Sequence, residues 1–185
     1  MKAYFTASVV GKKQYLDKYL SIIHLLEKSG VDASAEHILS ATEDKIRLET
    51  RNERVALQKK LETLINDADF LVAETSFPSI SVGYEIALAL HRGKPVLVLY
   101  NQGDSPSLIV NNEEEKLVVE KYTEASLPTI IADFINFVRG GADTRFTFFI
   151  TSEIGSYLER MGKKTKVPKS VYLRNLIAED MKKNK

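Results

Sequence analysis

The sequence predicts an α/β domain built on a doubly wound parallel sheet, followed by a small C-terminal strand–helix–helix unit. Two observations predict it. The stretch ADFLVAETSFPSISVGYEIALALHRGKPVLVLY, residues 68–100, reads as strand, loop, helix, strand. Phe70 to Ala73 is an apolar run too short for a helix and suited to a strand buried on both faces. Ile86, Leu88, Ala89 and Leu90 form a helical stripe stopped by Arg92-Gly93-Lys94-Pro95, and Val96 to Tyr100 is a second run rich in β-branched residues. Two such strands joined by one short helix make a right-handed crossover. The second observation is charge: a total of +1 divides into a net +6 over residues 144–185 and −5 over the rest. A basic unit therefore follows an acidic body. The sequence thus predicts a Rossmann/flavodoxin-like domain over residues 1–139 and a separate segment over 144–185.

Taken in order, Lys2 to Val10 alternates into a first strand that ends in a turn of small residues, Ala7-Ser8-Val9-Val10-Gly11. A helix follows from about Lys13 to Ser29, with Leu16, Leu20, Ile23 and Leu26 on one face and Gly30 as its C-cap. Ala33 to Leu39 reads as a short strand or its end. Thr42 to Asn66 is highly charged and helical throughout, with a ragged apolar face of Leu48, Val55, Leu57, Leu61, Leu64 and Ile65. After the central βαβ, Gly103 to Asn112 is a loop. Glu113 to Tyr122 is strand-like, Leu127 to Val138 an amphipathic helix, and Gly140-Gly141 a linker.

Composition sets bounds. There is no cysteine, which excludes a disulfide framework and a thiolate nucleophile or metal site. His24, His37 and His91 lack any repeated carboxylate spacing, so neither a metal site nor a cofactor is expected. No stretch is suited to span a bilayer and no signal peptide is read, so the expected location is cytoplasmic.

The loop after the first strand of the βαβ lies at the carboxyl edge of the sheet, where open α/β folds bind ligands. Pro78 bars helix or ladder there, and Ser81 can cap the helix, placing Gly83, Tyr84 and Glu85 in or near its first turn. Free N–H groups, with the Ser76, Ser79 and Ser81 hydroxyls, suit an anion. Gly83 lets a ligand approach the backbone, and Glu85 is the carboxylate aimed into the crevice. The same residues also fit a plain helix start, with Glu85 complementing the dipole and the serines as caps.

PSISVGYEIALAL followed by GKPVLVLY resembles the signature of the nucleoside 2-deoxyribosyltransferase family, and within it the deoxynucleoside 5′-monophosphate N-glycosidases. Ala73, Glu74, Pro78, Ser79, Val82, Gly83, Tyr84, Glu85 and Ala89 fit, while Ser81 and Ala87 stand where the family has Gly. The first strand and turn resemble the family's first phosphate-binding element. Tyr4, Phe5, Ser8, Val9 and Gly11 fit it, whereas Ala7 replaces a Gly and Val10 an Arg, leaving Lys12 or Lys13 to supply the charge. The resemblance implies Glu85 as nucleophile with Tyr84 orienting it. It implies Ser8, Ser79 and Ser107 as phosphate ligands, His37 near the base, and Tyr4, Val9, Gly11 and Gly83 lining the substrate. A lone His37 also fits a structural role. The family's assisting Asp falls on Leu61, with Glu62 and Glu53 nearby, and Asn111-Asn112 replace Arg-Gly. The implied reaction is hydrolysis of the N-glycosidic bond of a (deoxy)nucleoside 5′-monophosphate, or transfer of the deoxyribosyl group, by a homodimer that shares its sites. The alternative is a catalytically weak nucleotide-binding sensor whose C-terminal segment binds DNA or a partner.

In that segment Arg145 to Ile150 reads as a strand. Ser152 caps a helix with Ile154, Tyr157, Leu158 and Met161 inward; Gly162 to Lys169 is a basic turn; Ser170 caps a second helix. About forty residues bury too little surface alone. The pattern is similar to a ribbon-helix-helix unit, in which two chains pair their strands. Lys163, Lys164, Lys166 and Lys169 suit a DNA backbone, and a dimerisation clamp with a solvated basic face fits equally.

Overall fold

The computed structural model describes residues 1–103, 115–140, 150–165 and 169–183. Strands β1 (Lys2–Ala7), β2 (Asp32–Ser34), β3 (Phe70–Glu74), β4 (Val96–Tyr100) and β5 (Leu117–Lys121) form a parallel sheet in the order β2-β1-β3-β4-β5. Helices α1 (Lys12–Lys28), α2 (Glu36–Leu39), α3 (Glu43–Leu48), α4 (Arg51–Asp67), α5 (Ile80–His91) and α6 (Leu127–Val138) surround it. The chain divides into two units, residues 1–144 and 145–185, and the second contains helices α7 (Ser152–Thr165) and α8 (Lys169–Lys183). Among the described residues no helix is long and apolar enough to cross a membrane.

The central strands are apolar because both of their faces are covered. All of β3 and nearly all of β1 and β4 are buried. Register is Tyr4 opposite Leu71 and Thr6 opposite Ala73. Since side chains alternate across a strand, two separate cores result. Phe5, Phe70, Val72, Leu97 and Leu99 pack with α1 and α6. Tyr4, Leu71, Ala73, Val96 and Val98 pack with Ile65 of α4 and with Val82, Ile86 and Ala89 of α5. The crossover from β3 through α5 to β4 forms as the hydrophobic pattern predicts. Gly93 leaves α5 at φ +68°, a conformation glycine adopts without strain. Lys94 then donates to the Asn66 and Ala68 carbonyls and closes the end of α4.

Several elements differ from the sequence reading. On α1 the buried residues are Tyr19, Ile22, Ile23 and Leu26, while Leu16 and Leu20 face outward. Tyr19 wins the inner face because its hydroxyl finds a buried acceptor, the Ser8 carbonyl, at 3.1 Å. The segment 33–39 is strand only to Ser34 and then turns into α2. The charged stretch 42–66 is two helices, because Thr50 has extended backbone and caps α4 in a reciprocal box with Glu53. Ser79, not Ser81, is the N-cap of α5. In the second unit α7 runs on through Gly162 to Thr165, where a turn was expected, and the expected strand at 145–150 lies outside the described residues apart from Ile150.

Gly11 sits where the first turn meets the core. A Cβ there would lie 2.7 Å from Phe77 Cβ and 2.8 Å from Tyr19 Oη, whereas a Cβ on Gly83 meets nothing within 4 Å. Gly11→Ala is therefore expected to cost about 1–3 kcal/mol through overpacking. Gly83→Ala, inside a helix, is expected to be neutral or stabilising by up to about 1 kcal/mol. Calorimetric melting of the two variants, falling for the first and not for the second, checks this.

Candidate active site

The strand order reverses between β1 and β3, and the turns that follow these two strands flank one crevice. β1 delivers Tyr4 and the Ser8–Gly11 turn. β3 delivers residues 75–79 and the start of α5. The crevice is built around Glu85, which lies one and a half turns into α5 on the face it presents to the sheet, beside Val82, Ile86 and Ala89. Glu85 is 6 % exposed and accepts a 2.9 Å hydrogen bond from Tyr4 Oη at Oε2. Burial pushes its carboxyl above the usual range, and the Thr6 and Tyr4 hydroxyls pull it part of the way back. Tyr4 itself is held well above the ordinary phenol value, first by burial and then by the charge of Glu85. It therefore stays protonated and remains a donor.

His37 stacks on the Tyr4 ring, with centroids 4.7 Å apart and planes 15° from parallel. Both of its ring nitrogens are buried without a partner. Burial, followed by the Lys60 charge, lowers its pKa to about 4. At neutral pH it is an uncharged imidazole with one free donor and one free acceptor. This places His37 one ring away from the tyrosine that holds Glu85.

The residues assigned to the phosphate are distributed less simply. Ser8 is buried, and its Oγ accepts from Gly11 N at 3.2 Å. Val9 packs against the α1 core. Ser79 Oγ accepts from Val82 N at 3.5 Å, a long cap bond, and Gly83 has open space above it. Ser107 lies outside the described residues. Of the two expected cations, Lys12 is fully committed and Lys13 makes only an exposed ion pair. Lys12 Nζ donates to the carbonyls of Ile38, Leu39 and Ala41 at 2.7–3.1 Å, using all three of its protons on the end of α2. Lys13 pairs with Glu43 at 3.0 Å, and Val10 points largely into solvent.

One further expectation is corrected. Tyr84 is 52 % exposed, and the hydrogen-bond partner of Glu85 is Tyr4. Consecutive helical residues project about 100° apart, and here Glu85 and Ile86 share the inward arc while Tyr84 falls outside it. Leu61 packs against the cluster that contains Tyr4, Val82 and Ile86, so an apolar side chain stands on that wall. The nearby carboxylates do not substitute for it. Glu62 accepts from Gln58 and lies 3.7 Å from Arg92, and Glu53 closes the Thr50 capping box. Among the described residues no group of His, Asp and Glu could hold a metal ion.

The crevice thus offers a buried carboxylate held by a phenol, a neutral imidazole beside it, and hydroxyls and N–H groups at two turns. No protein-family model matches the chain. It is 32% identical over 136 residues, 72% of this chain and 84% of the relative, to a protein of Methanosarcina barkeri named as a 2′-deoxynucleoside 5′-phosphate N-hydrolase. A mouse 5-hydroxymethyl-dUMP N-hydrolase is 29% identical over 146 residues, 68% of this chain and 81% of its own length. The solved structure of a Clostridium botulinum CMP N-glycosidase superposes with a TM-score of 0.51 at 15% identity, covering 71% of this chain and 99% of that one, and shows the same fold. The chain therefore belongs to the 2′-deoxynucleoside 5′-phosphate N-hydrolase family, and is an enzyme of the N-glycosidase type.

Proposed function

We propose that the protein hydrolyses the N-glycosidic bond of (deoxy)nucleoside 5′-monophosphates, with Glu85 as the nucleophile. The observation that carries this reading is the buried Glu85 carboxylate held by Tyr4 Oη at 2.9 Å. A carboxylate oxygen attacks C1′ as the C1′–N bond breaks, and the base departs with that electron pair and takes up a proton. Water then attacks C1′ of the glycosyl ester, releasing the sugar 5-phosphate and restoring the carboxylate. If a second base took the place of water, the outcome would be deoxyribosyl transfer. Tyr4, rather than Tyr84, orients the nucleophile. Burial favours attack, because a poorly hydrated carboxylate held by one donor needs little reorganisation. His37 faces the base, and the Ser8, Ser79 and Ser107 hydroxyls take the 5′-phosphate end; the Gly11 and Gly83 N–H groups are already used on Ser8 Oγ and the Ser79 carbonyl, so Gly83 contributes open space and Gly11 the close packing of its turn.

The second unit supports assembly rather than sequence reading. Ile154, Tyr157, Leu176, Ile177 and Met181 are exposed on its two helices, more apolar surface than so short a segment leaves bare when it acts alone. The homodimer is the occupant this favours, and backbone contact with DNA through the basic residues is the lesser alternative. Sedimentation of the full chain is expected to give a dimer that dissociates in the Ile154→Asp/Ile177→Asp double variant. A dimer unchanged by the double variant would remove this role.

Base release from a panel of nucleoside 5′-monophosphates tests the chemistry. The relatives' names make pyrimidine monophosphates the first members to try. Glu85→Ala is expected to lower kcat by at least about 10³-fold, as loss of a nucleophile does. Tyr4→Phe, which deletes a bond to a charged group, is expected to cost roughly 10–100-fold. No release by the native protein, with saturable nucleotide binding in calorimetry, would replace hydrolysis with the sensor alternative.

The pH profile follows from the sign of the Glu85 shift. The nucleophile must be ionised, so kcat/KM is expected to rise with pH through a value above 4.5. His37, with a pKa of about 4, is already neutral there and adds no second limb. Stability runs the opposite way. A carboxyl whose folded pKa is raised stabilises fully only below its unfolded value and loses that contribution as pH rises through the folded one. Glu85→Gln is therefore expected to melt with the wild type below pH 4.5 and above it at pH 7; equal melting temperatures at both pH values would contradict the buried-charge assignment.

A further inference from the structure

A second carboxyl is buried behind the crevice, on the opposite face of the sheet from Glu85. Glu74 ends β3 and is 0 % exposed. Strand alternation places it with Phe70 and Val72, on the side of α1 and α6. Its Oε1 accepts from Ser76 N at 3.3 Å, from Ser76 Oγ, and from Tyr122 Oη at 3.2 Å. Ser76 Oγ in turn accepts from Asn101 N at 2.7 Å, and Asn101 Nδ2 donates to the Tyr122 carbonyl at 3.1 Å. Thr75 donates to the Leu99 carbonyl through both its N–H and its hydroxyl. One carboxyl therefore joins the carboxyl ends of β3, β4 and β5 to the start of the loop that leads to Ser79.

The next residue along, Phe77, packs on Gly11 so closely that no Cβ fits between them, with Tyr19 Oη on the same atom. Tyr19 also holds the Ser8 carbonyl. The two turns that flank the crevice are thus set against each other through Ser76, Phe77 and Gly11. Glu74 Oε2 is buried with no partner, an arrangement that costs stability and that an apolar side chain would avoid. Local packing alone gives no reason for a carboxyl here. Fixing the loop does, since its oxygen gathers three donors at one point.

We propose that Glu74 is a positioning residue of the nucleotide site: its carboxyl pins the 75–79 loop, and through Phe77 the Ser8–Gly11 turn, at the spacing a 5′-phosphate bridges. The ligand in this statement rests on the function proposed above; the loop geometry does not. Burial pushes the Glu74 carboxyl up, against its bonds to Ser76 and Tyr122.

The test compares Glu74→Ala with Glu74→Gln, which keeps the acceptor and the shape. Amide hydrogen exchange is read over residues 75–82 and, as reference, over β1. Steady-state kinetics are read on the best nucleoside 5′-monophosphate. In Glu74→Ala, exchange over 75–82 is expected to speed by about tenfold relative to β1. KM is expected to rise by about tenfold with kcat altered less than about threefold, the scale of a lost charge-assisted bond. Glu74→Gln is expected to recover both. A lower melting temperature with exchange and KM unchanged would reduce Glu74 to a packing residue and overturn the proposal. Should Glu74→Ala fail to fold, Tyr122→Phe removes one donor from the same oxygen, and unchanged exchange in that variant overturns it equally. Absence of any base release by the native protein would sink the function reading, while the exchange comparison would still decide the role of Glu74.

Discussion

The hydrogen bond from Tyr4 to Glu85 imposes the conditions that the surrounding structure meets. It links residues 81 positions apart, and it exists only because β1 and β3 are neighbours in a parallel sheet while α5 covers the face that Tyr4 occupies. A buried carboxylate is costly, so one donor must be permanently available to it. A tyrosine held above its ordinary pKa meets that need better than a serine, because its ring also fills the core and offers a face on which His37 stacks. The proposed nucleophile, its support and the candidate base contact thus form one column from α5 through β1 to α2.

Lys12, the cation that follows the first turn, is structural. Lys12 gives its three protons to carbonyls at and just beyond the end of α2, where helical carbonyls lack partners of their own, and so fixes the segment that carries His37. With Lys13 paired to Glu43, an anion at this turn would be met by dipoles and hydroxyls rather than by a bidentate guanidinium. Such a site selects by geometry more than by charge, which places weight on whatever fixes the spacing of the two turns. The Glu74 cluster is the feature on the other face of the sheet that does so.

The fold was legible where the pattern had a single solution. The run of apolar residues at 70–73 and 96–100, with a short helix between them, reads as a crossover; position at the sheet's carboxyl edge left Glu85 open between a ligand site and a plain helix start, and the resemblance singled it out. Contacts between distant segments were not legible. The resemblance gave Tyr84 the role of orienting Glu85, yet Tyr84 is half-exposed, and the tyrosine bonded to Glu85 is Tyr4, remote in sequence and adjacent in space. The inward turn of Tyr19 depends on a carbonyl acceptor that no periodicity shows. Glu74 was visible only as a matching letter, since its importance arises from the strand parity that turns it away from Glu85. Thr50 and Glu53, three residues apart, did carry a readable capping signature, and weighing it would have split the long charged helix correctly.

If Leu61 stands where the resemblance puts the family's assisting carboxylate, the change acts on Glu85 in two opposite ways. A second carboxylate on this wall would handle a proton or hold the sugar, and an apolar side chain does neither. Yet two carboxylates in one crevice resist joint ionisation, and one of the pair is driven to carry a proton. With Leu61 there, the rise of the Glu85 pKa comes from burial, opposed by hydroxyl donors, and no like charge adds to it. A lone nucleophile is therefore easier to ionise than one of a pair, and it attacks from a drier wall. What the change would remove is help for the departing base, the role that the proposed function gives to the neutral imidazole of His37.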